Sequence, residues 1–125
     1  MTDRIIFHMC RSAEWESARS SGSYPGSSQD AADGFIHFST GSQVEESAAK
    51  HRAGQDGLVL LTVDAARLGD ALKWEPSRGG QLFPHLYGPL PVAAVLRADP
   101  LPLGPDGRHV FPAGFRDTGF WDVQP

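Results

Sequence analysis

Six residues in the middle of the chain, Leu58 to Val63 (LVLLTV), carry no polar side chain until Thr62. Successive side chains of a strand point to opposite sides, so a strand with one wet face alternates apolar and polar residues. This run does not alternate, and it reads as a strand covered on both faces. The other segments have to be arranged around it.

Arg4 to Met9 (RIIFHM) is a first strand, with Ile5, Phe7 and Met9 on one face and Ile6, His8 and Cys10 on the other. Phe35 to Ser39 (FIHFS) is a second, with Ile36 and Phe38 on one side and Phe35, His37 and Ser39 on the other. Leu72 to Glu75, Phe83 to Tyr87 and Val92 to Arg97 supply three more, Pro84 marking an edge or a ladder break because it has no N–H to give. Ser12 is placed to cap a helix that carries Glu14 and Glu16 in its first turn, turns Trp15 and Ala18 inward and stops at Gly22. Ser42 and Glu45 have the spacing of a capping box, opening a helix whose face holds Val44, Ser47, Ala48 and His51 and which closes at Gly54. Asp64 to Asp70 reads as a helical turn and Pro76 to Gly80 as a tight one. Ser23 to Asp33, rich in Gly, Ser, Pro and Asp, reads as a loop and mobile flap. Two main helices among strands that otherwise follow one another directly give an α+β fold, not a doubly wound one.

A chain of 125 residues is the size of one domain and buries roughly two-thirds of its unfolded surface. Residues 1–98 are expected to form the α+β domain, and the Pro/Gly-rich tail 99–125 to pack on it as extended chain. No run approaches the ~20 apolar residues of a membrane span. A formal charge of −4 gives no basic surface for extended nucleic-acid binding, so a small-molecule or nucleotide ligand is the expected partner. Cys10 is the single cysteine and no charged-then-apolar leader opens the sequence, which points to a reducing cytoplasm. Oligomeric state is not legible.

Three histidines carry the functional signal. His8 shares its side with Cys10, His37 with Ser39, and His85 with Tyr87, so three strands each present an imidazole beside a second hydrogen-bonding group. Any one strand histidine is often a structural residue donating to a backbone carbonyl. Together they describe one polar floor, provided the strands are neighbours. His51 and His109 lack such company and read as structural. Glu75 precedes the turn PSRGG, in which Arg78 and the backbone of Gly79 and Gly80 offer donors to an anion; the bland alternative is a solvated Glu75–Arg78 pair. Tyr87 can stack on a flat ring or be an ordinary satisfied tyrosine. A metal-dependent hydrolase using His8, His37 and His85 has the ligand number of an open zinc site, yet no spacing rule supports it and no metal is expected. No nucleophile elbow, Walker loop, zincin or dinucleotide fingerprint is present.

The segments IFHM, DGFIHFST, DGLVLLTVDAARLG, WEP and FPHLYGPLPVAAV resemble the domain-of-unknown-function 952 family of small bacterial proteins, from about Arg4 to Arg97. More distantly, the same order resembles the catalytic lobe of the NAD-dependent RNA 2′-phosphotransferases and, through them, the ADP-ribosyltransferase fold. That likeness implies a split, antiparallel-rich sheet and NAD as substrate. It implies that His8 contacts the NAD ribose and that His37 lies near the nicotinamide, with Ser39 and Val63-Asp64-Ala65 in the same pattern. Tyr87 would stack, Arg78 would meet an anion, and His85 or Glu75 would polarise the reacting centre. Met9-Cys10 stand where those proteins have a small Gly-Ser or Gly-Thr, and no arginine-bearing lobe for RNA phosphate precedes the first strand, so RNA phosphotransfer itself is not implied. The expectation is an enzyme or binding protein for NAD, an ADP-ribosyl group or a related nucleotide; the alternative is a non-catalytic small-molecule or protein-binding module on the same fold.

Overall fold

The computed structural model of the chain describes residues 4–115. The order is β1 (Ile5–Arg11), α1 (Ser12–Ser21), β2 (Ser23–Tyr24), α2 (Ser28–Asp33), β3 (Ile36–His37), β4 (Ser39–Thr40), α3 (Val44–His51), β5 (Leu58–Asp64), β6 (Leu72–Pro76), β7 (Leu82–Leu86), β8 (Leu90–Pro91) and β9 (Val95–Leu101). Two short 3-10 turns, Ala65–Arg67 and Gly69–Ala71, link β5 to β6.

The strands form an antiparallel four-stranded sheet, β4-β1-β5-β9, a three-stranded sheet, β3-β7-β6, and a two-stranded ribbon, β2-β8. β1 pairs with β5 along its whole length, from Ile5 opposite Asp64 to Arg11 opposite Leu58. The apolar run is buried on both faces as its pattern requires. Leu61 and Val63 join Ile6, Ile36 and Leu86 in one core, while Leu58 and Leu60 join Ile5, Phe7 and Phe115 in a second. Each such side chain is worth roughly 1.5–3 kcal/mol of burial, which makes this central pair the backbone of the domain's stability.

Helix α1 buries Trp15 and Ala18 as expected. It begins one residue earlier than the Ser12 cap implies, with Arg11 N–H donating to Glu14 Oε1 at 2.9 Å, and it ends on Gly22 in the left-handed conformation at φ 88°. Helix α3 buries Val44, Ser47 and Ala48. Its cap is Gln43 and not Ser42, it ends at Arg52 before Gly54, and His51 is exposed.

Three segments differ from the expectation. Ser23 to Asp33 is built structure, not a loose flap: Tyr24 is fully buried in β2, and Ser27 caps α2 with reciprocal bonds to Asp30. FIHFS is not one strand but two: β3 pairs with β7 and β4 with β1, so the chain steps from one sheet to the other at Phe38, whose N–H donates to the Pro84 carbonyl at 3.0 Å. Pro84 lies in the central strand of its sheet, where the β3 ladder ends, so its lack of an N–H breaks no further rung on that side. The last strand starts at Val95 after a 3-10 turn, Val92–Ala94, and runs on through Pro100, which an edge strand tolerates. The tail as far as Phe115 packs back on the domain, Phe115 meeting Phe7 edge-on at 5.4 Å, and His109 Nε2 lies 2.7 Å from the Gln55 carbonyl. Among the described residues no helix is long and apolar enough to cross a membrane.

Candidate functional site

The step at Phe38 decides where the histidines go. β3 lies directly on β7, so that His37 is opposite His85, and β6 on the other side puts Lys73 opposite His85. Directly paired residues share a face, and this face of the small sheet carries His37, His85 and Lys73 in a row with Glu75 and Tyr87 beside them. The His37 and His85 rings are 5.8 Å apart, centre to centre. Phe35 closes the cluster, stacking on His85 at 4.1 Å and lying 4.6 Å from His37 and 5.2 Å from Tyr87.

Each imidazole is held differently. His85 Nδ1 donates to Glu75 Oε1 at 2.8 Å, and the Tyr87 hydroxyl donates to the same oxygen at 2.7 Å. These two donors pull the Glu75 carboxyl below its usual range. His37 is clasped between two carboxylates: Nδ1 on Asp30 Oδ1, and Nε2 2.9 Å from Asp33. The Asp30 bond above all, with the Asp33 charge added, outweighs partial burial and raises the His37 pKa, so the ring is a cation donating through both nitrogens.

Asp30 is the hub that the sequence reading missed. It is buried, and burial pushes its carboxyl up. The His37 ring, the His37 N–H at 3.1 Å and the Ser27 N–H at 2.7 Å together reverse that push and bring it down to about 2. Two signals were available for it. Ser27-x-x-Asp30 has the spacing of an N-terminal cap, and Tyr24 is a large aromatic in an otherwise polar stretch. Gly26 completes the arrangement at φ +99°, where a Cβ would lie 2.9 Å from the Asp30 Cβ.

His8 does not stand on this face. It was expected off the core side of β1, but its neighbours on that side, Ile6 and Cys10, belong to the core between the sheets, and His8 is itself buried there. Nδ1 is 2.6 Å from the His37 carbonyl, which can only accept, so Nδ1 carries the proton. Burial lowers the His8 pKa against the pull of Asp30, leaving the ring neutral, and Nε2 then accepts from the Tyr24 hydroxyl at 2.8 Å. Cys10 lies beside Tyr24 in the same core, and burial pushes its thiol up to about 12, which removes it as a nucleophile at neutral pH. His8 thus supports the His37 strand from behind. Ser39 also turns away, its hydroxyl 2.8 Å from Ser47 of α3. The Arg78 side chain lies outside the described part of the structure; the backbone of Gly79 and Gly80 there has φ of 68° and 78°.

The single polar floor expected of the three imidazoles is therefore divided: His37 and His85 share a sheet face on which His85 is largely buried, and His8 lies behind it. A concavity of about 540 Å³ beside Trp15, Arg19 and Pro100, and another of about 530 Å³ beside Ser17, Tyr24 and Gly26, include none of the three histidines. The rings do not form a metal-ligand set either: both His8 nitrogens are engaged, and among the described residues no group of three or more His, Cys, Asp or Glu side chains is disposed to hold an ion.

A family model described as "Protein of unknown function (DUF952)" matches residues 9–98. The crystal structure of protein CC0527 from Caulobacter crescentus is similar at 51% identity and a TM-score of 0.82, over 85% of this chain and 93% of that one. Its solution NMR structure is similar at 49% identity and a TM-score of 0.76, over 90% and 95%. None of the curated proteins matches the chain.

Proposed function

We propose, for a chain that belongs to the DUF952 family, that the His37–His85 face binds NAD, an ADP-ribosyl group or a related nucleotide in the cytoplasm and acts on it as an enzyme. The observation that carries this reading is the direct pairing of His37 and His85 across two strands, with Glu75 fixed behind one ring and Asp30 behind the other. Donors set on strands by buried or paired carboxylates are held to a geometry that a loop would not keep. Phe35 and the half-exposed Tyr87 supply flat apolar surface for a heteroaromatic ring, with the two imidazoles beside it. Asp30 and Asp33 flank His37, and Glu75 lies against His85 on the face that also carries Lys73, so both signs of charge are available to a nucleotide there. The two-sheet arrangement is compatible with the split sheet of the ADP-ribosyltransferases, which is a fold-level analogy and argues for the ligand class only. Met9-Cys10 lie in β1 away from this face, so the absence of the small pair found after the first histidine of those proteins bears on approach to His8 and not on the His37–His85 surface.

A thermal-shift titration with NAD, ADP-ribose and nicotinamide tests the reading. A ligand that binds only the folded chain stabilises it by about 2.7 kcal/mol at a hundredfold excess over Kd. The melting temperature is expected to climb with NAD or ADP-ribose and to stay flat in His37→Ala. No rise at roughly millimolar ligand abandons the nucleotide assignment.

The second reading, a binding module without turnover, draws on one observation: the face is open and lies outside both concavities, where water is not excluded from a reacting centre. It predicts ligand stabilisation with no consumption of NAD.

A further inference from the structure

The three histidines have six ring nitrogens, and the described residues engage both of His8, both of His37 and one of His85. The exception is His85 Nε2. With Nδ1 donating to Glu75, the neutral ring carries its lone pair at Nε2. His85 as a whole is only 7% exposed, yet this atom keeps some contact with solvent, because Thr62 Oγ1 is the one fully buried side-chain nitrogen or oxygen without a partner among the described residues. Phe35 covers one side of the ring, stacked at 25°, and Glu75 is itself steadied by Tyr87.

We propose that His85 is the proton-accepting group of this face, working through Nε2 on a hydroxyl of water or of an alcohol, with Glu75 as its positioning residue. The inference rests on the nucleotide reading for its electrophile alone. With NAD, the hydroxyl proton passes to Nε2 and an oxygen lone pair forms the bond to ribose C1′. The C1′–N bond breaks, its electron pair returns to the pyridinium ring, and neutral nicotinamide leaves. The imidazolium formed at His85 is balanced by Glu75, and the pairing of a base with a carboxylate that orients it is the usual way an imidazole is readied for proton transfer. Neither other histidine competes. His37 donates through both nitrogens and has no lone pair to offer, and the lone pair of His8 is taken by Tyr24.

Diethyl pyrocarbonate reads the open nitrogen without any knowledge of the substrate, since a neutral imidazole nitrogen attacks its carbonyl carbon as ethyl carbonate leaves. Brief treatment of the full chain at about pH 8, where an ordinary histidine is neutral, followed by peptide mass spectrometry, is expected to modify His85 and to spare His8 and His37. Glu75→Gln is expected to slow His85 modification several-fold relative to N-acetylhistidine in the same solution, with the melting curve unchanged. An unmodified His85, or His37 modified in its place, overturns the proposal; an unchanged rate in Glu75→Gln removes the role given to Glu75. Saturating NAD or ADP-ribose is expected to shield His85. Modification that neither ligand shields defeats the nucleotide reading and leaves the assignment of His85 standing.

Discussion

The two sides of β3 make opposite use of the same residue types. Behind the strand, Tyr24 and His8 form a buried hydrogen-bonded chain that ends on the His37 carbonyl, with both His8 nitrogens engaged. In front of it, His37, His85, Glu75 and Tyr87 form a cluster in which one nitrogen of the largely buried His85 ring has no partner among the described residues and keeps some contact with solvent. A buried polar group left unpaired costs about 1–3 kcal/mol, so a core histidine closes its bonds or is lost. Where solvent reaches, water makes an open nitrogen inexpensive. An imidazole's role here is therefore set by which of its nitrogens remain unengaged, and not by its presence in a strand.

Asp30 joins the two sides, and removing it should do the most damage. Asp30→Ala strips the acceptor from the Ser27 N–H, the His37 N–H and the His37 ring at once. Breaking a buried pair from one side costs about 3–5 kcal/mol, and a urea unfolding curve at neutral pH should show a loss of that order. In the milder Asp30→Asn the fold is expected to survive while the His37 titration, followed by NMR, moves down toward an ordinary histidine. If His37 titrates unchanged in that variant, Asp30 is a cap for α2 and nothing more, and the joined picture fails.

Tyr24→Phe tests the closed side alone. The change keeps the ring and deletes the hydroxyl, leaving His8 Nε2 without its partner. The expected loss is about 1–3 kcal/mol in the same unfolding measurement. His8 Nε2 then faces the Asp30 carboxylate at 3.7 Å, so proton uptake becomes a way to satisfy it. The His8 titration should accordingly move up from its depressed position. Carbethoxylation of His85 should not change, because no bond on the open face is touched; a change there would mean the two sides are not separable.

How much of this was legible depended on which residues carried a repeating pattern. The central strand, the first strand, the buried side chains of helix α1 and Val44, Ser47 and Ala48 of α3 follow from the spacing of apolar residues, and the structure has them, although each of these two helices is capped one residue from the serine expected, at Arg11 and Gln43. The pairing of His85 with Tyr87 on one face followed from period two as well. His8 was misplaced because alternation tells which residues share a side and not whether that side is wet, and both faces of β1 turn out to be core. FIHFS reads as one strand since nothing in five residues announces a change of partner; the β3 ladder stops at Pro84, far along the chain but adjacent in the sheet. Asp30 was hidden by composition. A Gly, Ser and Pro background signals loop, and it masked a cap spacing that the buried Tyr24 turns into a fixed helix.

The smallest expected effect bears most directly on the rule drawn from the comparison. Thr62 Oγ1, in the middle of β5, is buried without a partner, so it too is an unengaged polar atom, yet it lies among Leu58, Leu60 and Phe7 on the side of the second core. If open hydrogen-bonding capacity marked a working site wherever it occurred, Thr62 would be a candidate; if burial is what separates cost from use, it is merely a cost. Thr62→Val keeps the branched shape and removes the hydroxyl. It is expected to stabilise the chain by about 1 kcal/mol, since the desolvation penalty of the unpaired group disappears. The melting temperature should rise and both ligand stabilisation and the modification of His85 should stay as they are. A destabilised Thr62→Val, or one that no longer responds to ligand, would place a partner for that hydroxyl where none is described and would undo the distinction between the core and the face.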